Sequence, residues 1–467
     1  MKQIEKSVGW LLKQASKLTP YEAHNPFLEG NFAPIAGEHS TSGLMVLGTI
    51  PTELSGVYAR IGPNPISVKN PGQYHWFTGD GMVHGIRLQD GQAQWYHNRY
   101  VGSDSVQAGL GRAPLPGRRR GLFDTVNTNI IRHQGRNWAL VEAGPYPIEL
   151  DGELNSVRHG LFNSDVNSSF TAHPHEDPAT GELHAICYDG RSQNQIRYLC
   201  IDAQGQVAHQ VQIPVKHGPM IHDCAVSQNH VVILDLPVTF SVKALIKGRT
   251  FPYAWNNKHA ARVGILPKRG AATDIRWYDI DPCFVFHSCN AFEEADSTLV
   301  VDVVVHRRMF DQSHIGPESE AHVSFERWLL KPNASRVERQ VYSTLGQEFP
   351  RFDERLAGQK YRYAYTIGAQ SLQDLQPNTL IRHDLDTGEV LQRSYGAGKI
   401  TGEAVFVPRS ATSSETDGWL ISLVHDEHGG HTQLAIIKAD DFLGEPQAVI
   451  TLPYRVPLGF HGNWLAD

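Results

Sequence analysis

Four histidines stand at the edges of apolar, strand-like segments: His173 in SSFTAHPHEDPATGEL, His222 in GPMIHDCAV, His287 in CFVFHSCNAFEE and His461 in PLGFHGNW. Imidazole serves both as a metal ligand and as an acid or base near neutral pH. Taken singly, each of the four is better read as a hydrogen-bonded, half-buried side chain. Four together, on separate strands, can meet only in a closed architecture with an axis, such as the rim or channel of a propeller. Histidine is also the one compositional excess, with 24 copies. Other familiar chemistry falls away. The GAGKIT segment at 396 has Arg393 where a phosphate loop needs its first glycine and Ile400 where it needs a magnesium-binding hydroxyl. HDEHGGH at 425 lies between two strand-like runs, where a polar hairpin tip is expected. No G-x-S-x-G elbow, H-E-x-x-H helix or paired C-x-x-C occurs.

The elements that would have to position these histidines are short. NWALVEAG at 137, ELHAICYDG at 182, NHVVILDLP at 229, STLVVDVVVH at 297 and GWLISLVHD at 418 are apolar or alternating runs bounded by turn residues, and read as strands. Asp90-Gly91, Thr180-Gly181, Gln204-Gly205, Thr387-Gly388 and Asp417-Gly418 are hairpin turns by type. The 42 glycines and 27 prolines are spread throughout and never form a linker. The reading is one all-β body, a propeller or a large sandwich, over residues 21–467. Ahead of it, Ile4, Val8, Leu11, Leu12, Ala15 and Leu18 share one face at helical spacing and Pro20 stops the pattern, so residues 1–20 read as an amphipathic helix. No fixed-period repeat gives a blade count.

Composition narrows the function further. A net charge of -7 over 467 residues, without long runs, excludes a nucleic-acid partner. Arg118, Arg119 and Arg120 form the only basic block and read as a solvated loop. Five cysteines without a C-x-x-C pair argue against a disulfide framework and fit a reducing cytoplasm. The N-terminal stretch lacks a signal-peptide pattern, and no run reaches the roughly 18 apolar residues that span a bilayer.

Read in order, GVYARIGPNP, YHWFTGDGMVHG, NTNIIRHQGRNWALVEAG, FTAHPHEDPATGEL, MIHDCAV, FVFHSCNAFEE, EFPRF, GEAVFVPR and VPLGFHGNW resemble the carotenoid cleavage oxygenase family. That family also contains apocarotenoid oxygenases, the retinal-pigment-epithelium isomerase and bacterial stilbene dioxygenases. The resemblance implies a seven-bladed β-propeller with a helical and loop dome over one face and iron(II) on the axis. It implies His173, His222, His287 and His461 as iron ligands, with Glu142, Glu348 and Glu403 as carboxylates behind them. It places Thr128 beside a coordination position.

The implied reaction is insertion of both oxygens of O2 across a carbon–carbon double bond, giving two carbonyl products without an organic cofactor. Stilbene-type enzymes tend to carry lysine before the first glutamate, and here the residue is Val141, which favours a carotenoid or apocarotenoid. Residues 237–254 resemble the segment at the substrate entrance, with Phe240, Ala244, Leu245, Ile246 and Phe251 as tunnel or membrane-contact candidates. The rivals are a stilbene or phenylpropene dioxygenase, and a propeller that binds or isomerises an apolar ligand without oxygen. The expectation is a cytoplasmic enzyme with peripheral membrane contact; oligomeric state is not legible.

Overall fold

Every segment read as a strand is one: Arg136–Leu140, Glu182–Asp189, His230–Asp235, Leu299–His306 and Gly418–Asp426. The computed structural model describes residues 21–121, 124–313, 322–368, 378–427 and 430–467, so the helix expected over residues 1–20 lies outside the described residues. Four of the five expected turns have their glycine at positive φ, Gly91, Gly181, Gly205 and Gly388, whereas Gly418 opens the strand Gly418–Asp426 after a longer connection from Pro408. Asp90 and Gly91 both adopt positive φ, 52° and 71°, in the two-residue turn joining Gly81–Gln89 to Gln92–Tyr100.

The described strands form eight antiparallel sheets, seven of which are blades of a β-propeller and the eighth a two-stranded ribbon of Val238–Phe240 with Tyr253–Trp255. Blades 1 to 7 follow chain order. Closure is made at both ends of the chain: Gly462–Ala466 pairs with Gly56–Pro63 in blade 1, and Met45–Gly48 pairs with Ala448–Thr451 in blade 7. Tying the ends this way removes an open seam. The apolar core is a ring of inter-blade contacts. One cluster joins Tyr58, Ile86 and Tyr96 of blade 1 to Trp419, Ile421 and Leu434 of blade 7. Another joins Val57 and Val83 of blade 1 to Ile130 and Ala139 of blade 2.

Among the described residues, α-helix is confined to Asp104–Gly109 and Val242–Ile246. What crosses between blades there is therefore loop, short 3-10 turn and ribbon more than helix. The arginine block is exposed at Arg118 and Arg119, as a solvated loop would be, and departs from that reading at Arg120. Arg118 pairs with Asp165, Arg119 with Asp104 and Arg120 with Asp189, and the Arg120 side chain is nearly buried. All five cysteines are buried and unpaired.

Candidate metal centre

Each blade contributes one residue at or near the start of its innermost strand. His461 precedes Gly462–Ala466 in blade 1, Thr128 precedes Asn129–His133 in blade 2, and His173 lies just before His175–Asp177 in blade 3. His222 lies just before Cys224–Val226 in blade 4, and His287 precedes Ser288–Glu293 in blade 5. Glu348 sits within Gln347–Arg351 in blade 6. In blade 7, Lys399–Thr401 and Val405–Pro408 both pair with Gly418–Asp426, and Glu403 occupies the break between them.

The four imidazoles converge. Ring centroids of His173 lie 4.6, 5.1 and 4.6 Å from those of His222, His287 and His461, and His287 lies 5.1 Å from His222 and 4.8 Å from His461. Donor atoms of His173, His287 and His461 all fall within 4.8 Å of one another. The Nε2 atoms of His222 and His287 approach to 3.4 Å. Behind them, three Nδ1 atoms are held by the three expected glutamates: His222 by Glu142 at 3.0 Å, His287 by Glu348 at 2.7 Å and His461 by Glu403 at 3.0 Å. An imidazole that gives its Nδ1 proton to a carboxylate presents an Nε2 lone pair inward, which is the usual arrangement of a histidine ligand. His173 Nε2 is buried without any hydrogen-bond partner. These residues fit a metal ion: the buried Nε2 of His173 has no hydrogen-bond partner and stands with the donor nitrogens of His287 and His461, while His222 lies outside that group of three with its Nε2 3.4 Å from that of His287.

Electrostatics separate the members. Burial, reinforced by the neighbouring imidazoles, pushes His173 well below the ordinary histidine range. Burial also brings His461 down to about 4, against the opposing pull of Glu403. For His287 burial acts in the same direction, but the Glu348 carboxylate outweighs it and raises the pKa. Burial alone would raise both carboxyls; His287 and His306 hold Glu348 down, while Arg351 and His461 hold Glu403 at about 2.

Several contributing residues were not singled out from sequence. His306, the last residue of the STLVVDVVVH run, places Nε2 2.5 Å from the second oxygen of Glu348. Arg351, in EFPRF, reaches Glu403 at 3.2 Å. Arg60, in GVYARIGPNP, donates to the carbonyls of Gly459 and Phe460 just before His461, and to His425, which is thereby accounted for without a metal. Phe349 and Phe286 flank the cluster, with Phe349 5.1 Å from His287 and 5.0 Å from His461, and Phe286 5.2 Å from His222.

Thr128 donates its hydroxyl to the side chain of Asn127, and its carbonyl accepts the His461 N–H. Phe251 stacks on His75 at 4.3 Å and touches Phe77 and Phe310, which in turn reach Phe286. Phe240 packs near Tyr253 at 5.9 Å. Leu245 is half-buried, Ile246 is exposed, and Val141 packs into the apolar cluster of blades 1 and 2. A separate group of Glu182, His184 and Cys200 also has ligand spacing, but the Arg269 guanidinium bonds both Glu182 and Cys200 and already supplies the positive charge there.

Comparison with known proteins agrees along most of the chain. The family model described as retinal pigment epithelial membrane protein matches residues 32–466. A carotenoid cleavage oxygenase of Mycobacterium tuberculosis is 37% identical, the match covering 95% of this chain and 98% of that one. A carotenoid 9,10(9',10')-cleavage dioxygenase of Phaseolus vulgaris is 32% identical over 94% of this chain and 89% of its own. Among solved structures, lignostilbene dioxygenase of Pseudomonas brassicacearum superposes with a TM-score of 0.85 at 27% identity, covering 96% of this chain and all of that one. A match that begins before the first blade and ends in the strand that closes the ring leaves one conclusion: the chain belongs to the carotenoid cleavage oxygenase family.

Proposed function

We propose that this protein is a non-haem iron(II) dioxygenase that cleaves a carbon–carbon double bond of a carotenoid or apocarotenoid with O2, giving two carbonyl products. The observation that carries the reading is the convergence of four buried imidazoles, three of them oriented by glutamates. His173, His222, His287 and His461 would hold the iron, which when bound supplies activation of dioxygen. Four neutral nitrogen donors suit Fe(II) but other divalent ions as well. The choice of iron rests on the family.

The chain's own residues do the rest. Glu142, Glu348 and Glu403 fix ring orientation and tautomer. Thr128, whose backbone is bonded to His461, limits access to the position beside that ligand. Phe251, Phe77, Phe310 and Phe286 form a continuous aromatic wall from the ribbon to His222, suited to lay an apolar polyene along the axis and exclude water. The reaction balances as alkene plus O2 to two carbonyls.

A second reading, cleavage of a phenolic stilbene, is favoured by the fold match to a lignostilbene dioxygenase. Against it, Val141 offers a phenol neither charge nor hydrogen bond. Iron-loaded protein incubated under air with an apocarotenal and, separately, with a hydroxystilbene decides between them by the aldehydes formed. Aldehydes from the apocarotenal are expected. Exclusive consumption of the stilbene would reverse the substrate assignment, and consumption of neither would favour a binding or isomerising protein.

Delivery of such a substrate suits peripheral contact with a membrane in the cytoplasm. No helix among the described residues is long and apolar enough to cross one. The short helix Val242–Ile246 exposes Val242 and Ile246, 53% and 71% accessible, next to exposed Lys243 and Lys247. Such a turn can seat apolar side chains below headgroups. Co-sedimentation with anionic vesicles should fall several-fold for Val242→Ser/Ile246→Ser; unchanged sedimentation would remove this contact from the account.

A further inference from the structure

We propose that Asp223 is a positioning residue that sets the spacing of three of the four imidazoles. This rests on reading the histidine cluster as a metal site, and it concerns a residue beyond the ligands and their glutamates. Asp223 directly follows His222 and is buried. Its Oδ1 accepts the Cys224 N–H at 2.7 Å and lies 2.8 Å from His175 Nε2. Its Oδ2 accepts the Ser288 N–H at 2.7 Å, with the Ser288 hydroxyl at 2.9 Å also within reach of the Cys224 carbonyl. His175 stands two residues after His173, and Ser288 one residue after His287. One carboxylate therefore ties together the segments that carry ligands in blades 3, 4 and 5.

The tie matters because of where it lies. Innermost strands of successive blades belong to different sheets, so no backbone ladder fixes the distance between them at the axis. Apart from the single backbone bond of the His461 N–H to the Thr128 carbonyl between blades 1 and 2, side chains do so. The remaining blades are tied by neutral and ionic bonds: Arg351 of blade 6 reaches Glu403 of blade 7 and the Gly462 carbonyl and Asn463 side chain of blade 1. Asn463 donates to the Asn129 side chain of blade 2, and Asn129 donates to the Ala172 carbonyl of blade 3, next to His173. Asp223 completes the run from blade 3 through blade 5, and the His287–Glu348 bond links blade 5 to blade 6. Together with the His287 imidazole these bonds close a polar ring through all seven blades around the histidine cluster.

An aspartate is required rather than its amide. Both oxygens face a backbone N–H, that of Cys224 on one side and that of Ser288 on the other, so either orientation of an asparagine sets its NH2 against a donor that cannot turn away. Asp223→Asn is nearly isosteric and should open the gap between blades 4 and 5 by a fraction of an ångström.

The test uses the full chain and Co(II) as the probe, with affinity from chelator competition, coordination from the visible d–d spectrum, and a thermal melt for folding. Asp223→Asn is expected to bind Co(II) about 10–100-fold more weakly, the range for losing an outer hydrogen bond to a metal site, with an altered spectrum. Ser288→Ala, which removes only one of the bonds, should show a smaller change of the same kind and serves if the first variant does not fold. Asp302→Asn removes a buried carboxylate bonded to Arg327 and Tyr361 away from the cluster, and should lower the melting temperature while leaving Co(II) affinity and spectrum as they were. Wild-type affinity and spectrum in Asp223→Asn, or in Ser288→Ala if that alone folds, would overturn the role. So would equal weakening by Asp302→Asn. A wild-type protein that takes up no Co(II) would defeat the metal reading itself, and the positioning role with it.

Discussion

His287→Ala is expected to abolish iron loading while leaving the propeller folded. His287 is in ring contact with His173, His222 and His461, and its Nε2 also lies nearest that of His222. Removing it takes away one donor and leaves Glu348 without one of its two imidazole partners. The loss should exceed the about 10–100-fold that follows from disturbing an outer hydrogen bond. Folding should survive because the blades are held by the inter-blade clusters and the closure strands, and Glu348 keeps His306 as a partner. Metal content by plasma mass spectrometry after anaerobic Fe(II) loading, with circular dichroism on the same sample, checks both halves. Full iron occupancy in the variant would refute the ligand assignment.

That prediction uses residues legible in the sequence, and the reason is local. A histidine just before an apolar strand, flanked by Pro, Gly, Asp or Ser, marks an entry into an inner strand, and four such entries imply an axis. The family resemblance supplied the three glutamates, and each is hydrogen-bonded to one of the four histidines. What sequence did not disclose depends on departures from regular strand geometry. In a regular strand Glu348 and Phe349 would point to opposite faces. Here the register is broken between Glu348 and Arg351, and Phe349 adopts φ of 54°, a left-handed conformation unusual for a bulky residue. Both side chains thereby face the cluster. His306 and Asp223 escaped notice for another reason: His306 and Glu348 are 42 residues apart, and although Asp223 adjoins His222, its partners Ser288 and His175 lie 65 and 48 residues away, so neither role is written in the local sequence.

Glu348→Gln should reduce turnover per bound iron by about 10–100-fold, with a smaller cost to stability. Glu348 accepts from three sides: Oε2 faces His287 Nδ1 at 2.7 Å and the Phe349 N–H at 2.7 Å, while Oε1 faces His306 Nε2 at 2.5 Å. An amide has one oxygen. If its NH2 faced His287, that ring would have to present a lone pair at Nδ1 and carry its proton on Nε2, the atom needed for the metal. The oxygen must therefore stay with His287 and Phe349, leaving the NH2 to face His306. That ring must then hold its proton on Nδ1, which is buried and has no partner. The unsatisfied donor costs about 1–3 kcal/mol, so a lower melting temperature is expected but not unfolding. Loss of the carboxylate charge also weakens the pull that keeps His287 fixed, and the iron it helps hold becomes a poorer site for turnover. Turnover normalised to iron content, measured beside the melt, separates the two effects: an unchanged rate per iron with a lowered melting temperature would make Glu348 a structural buttress of blades 5 and 6 rather than a residue that tunes the ligand.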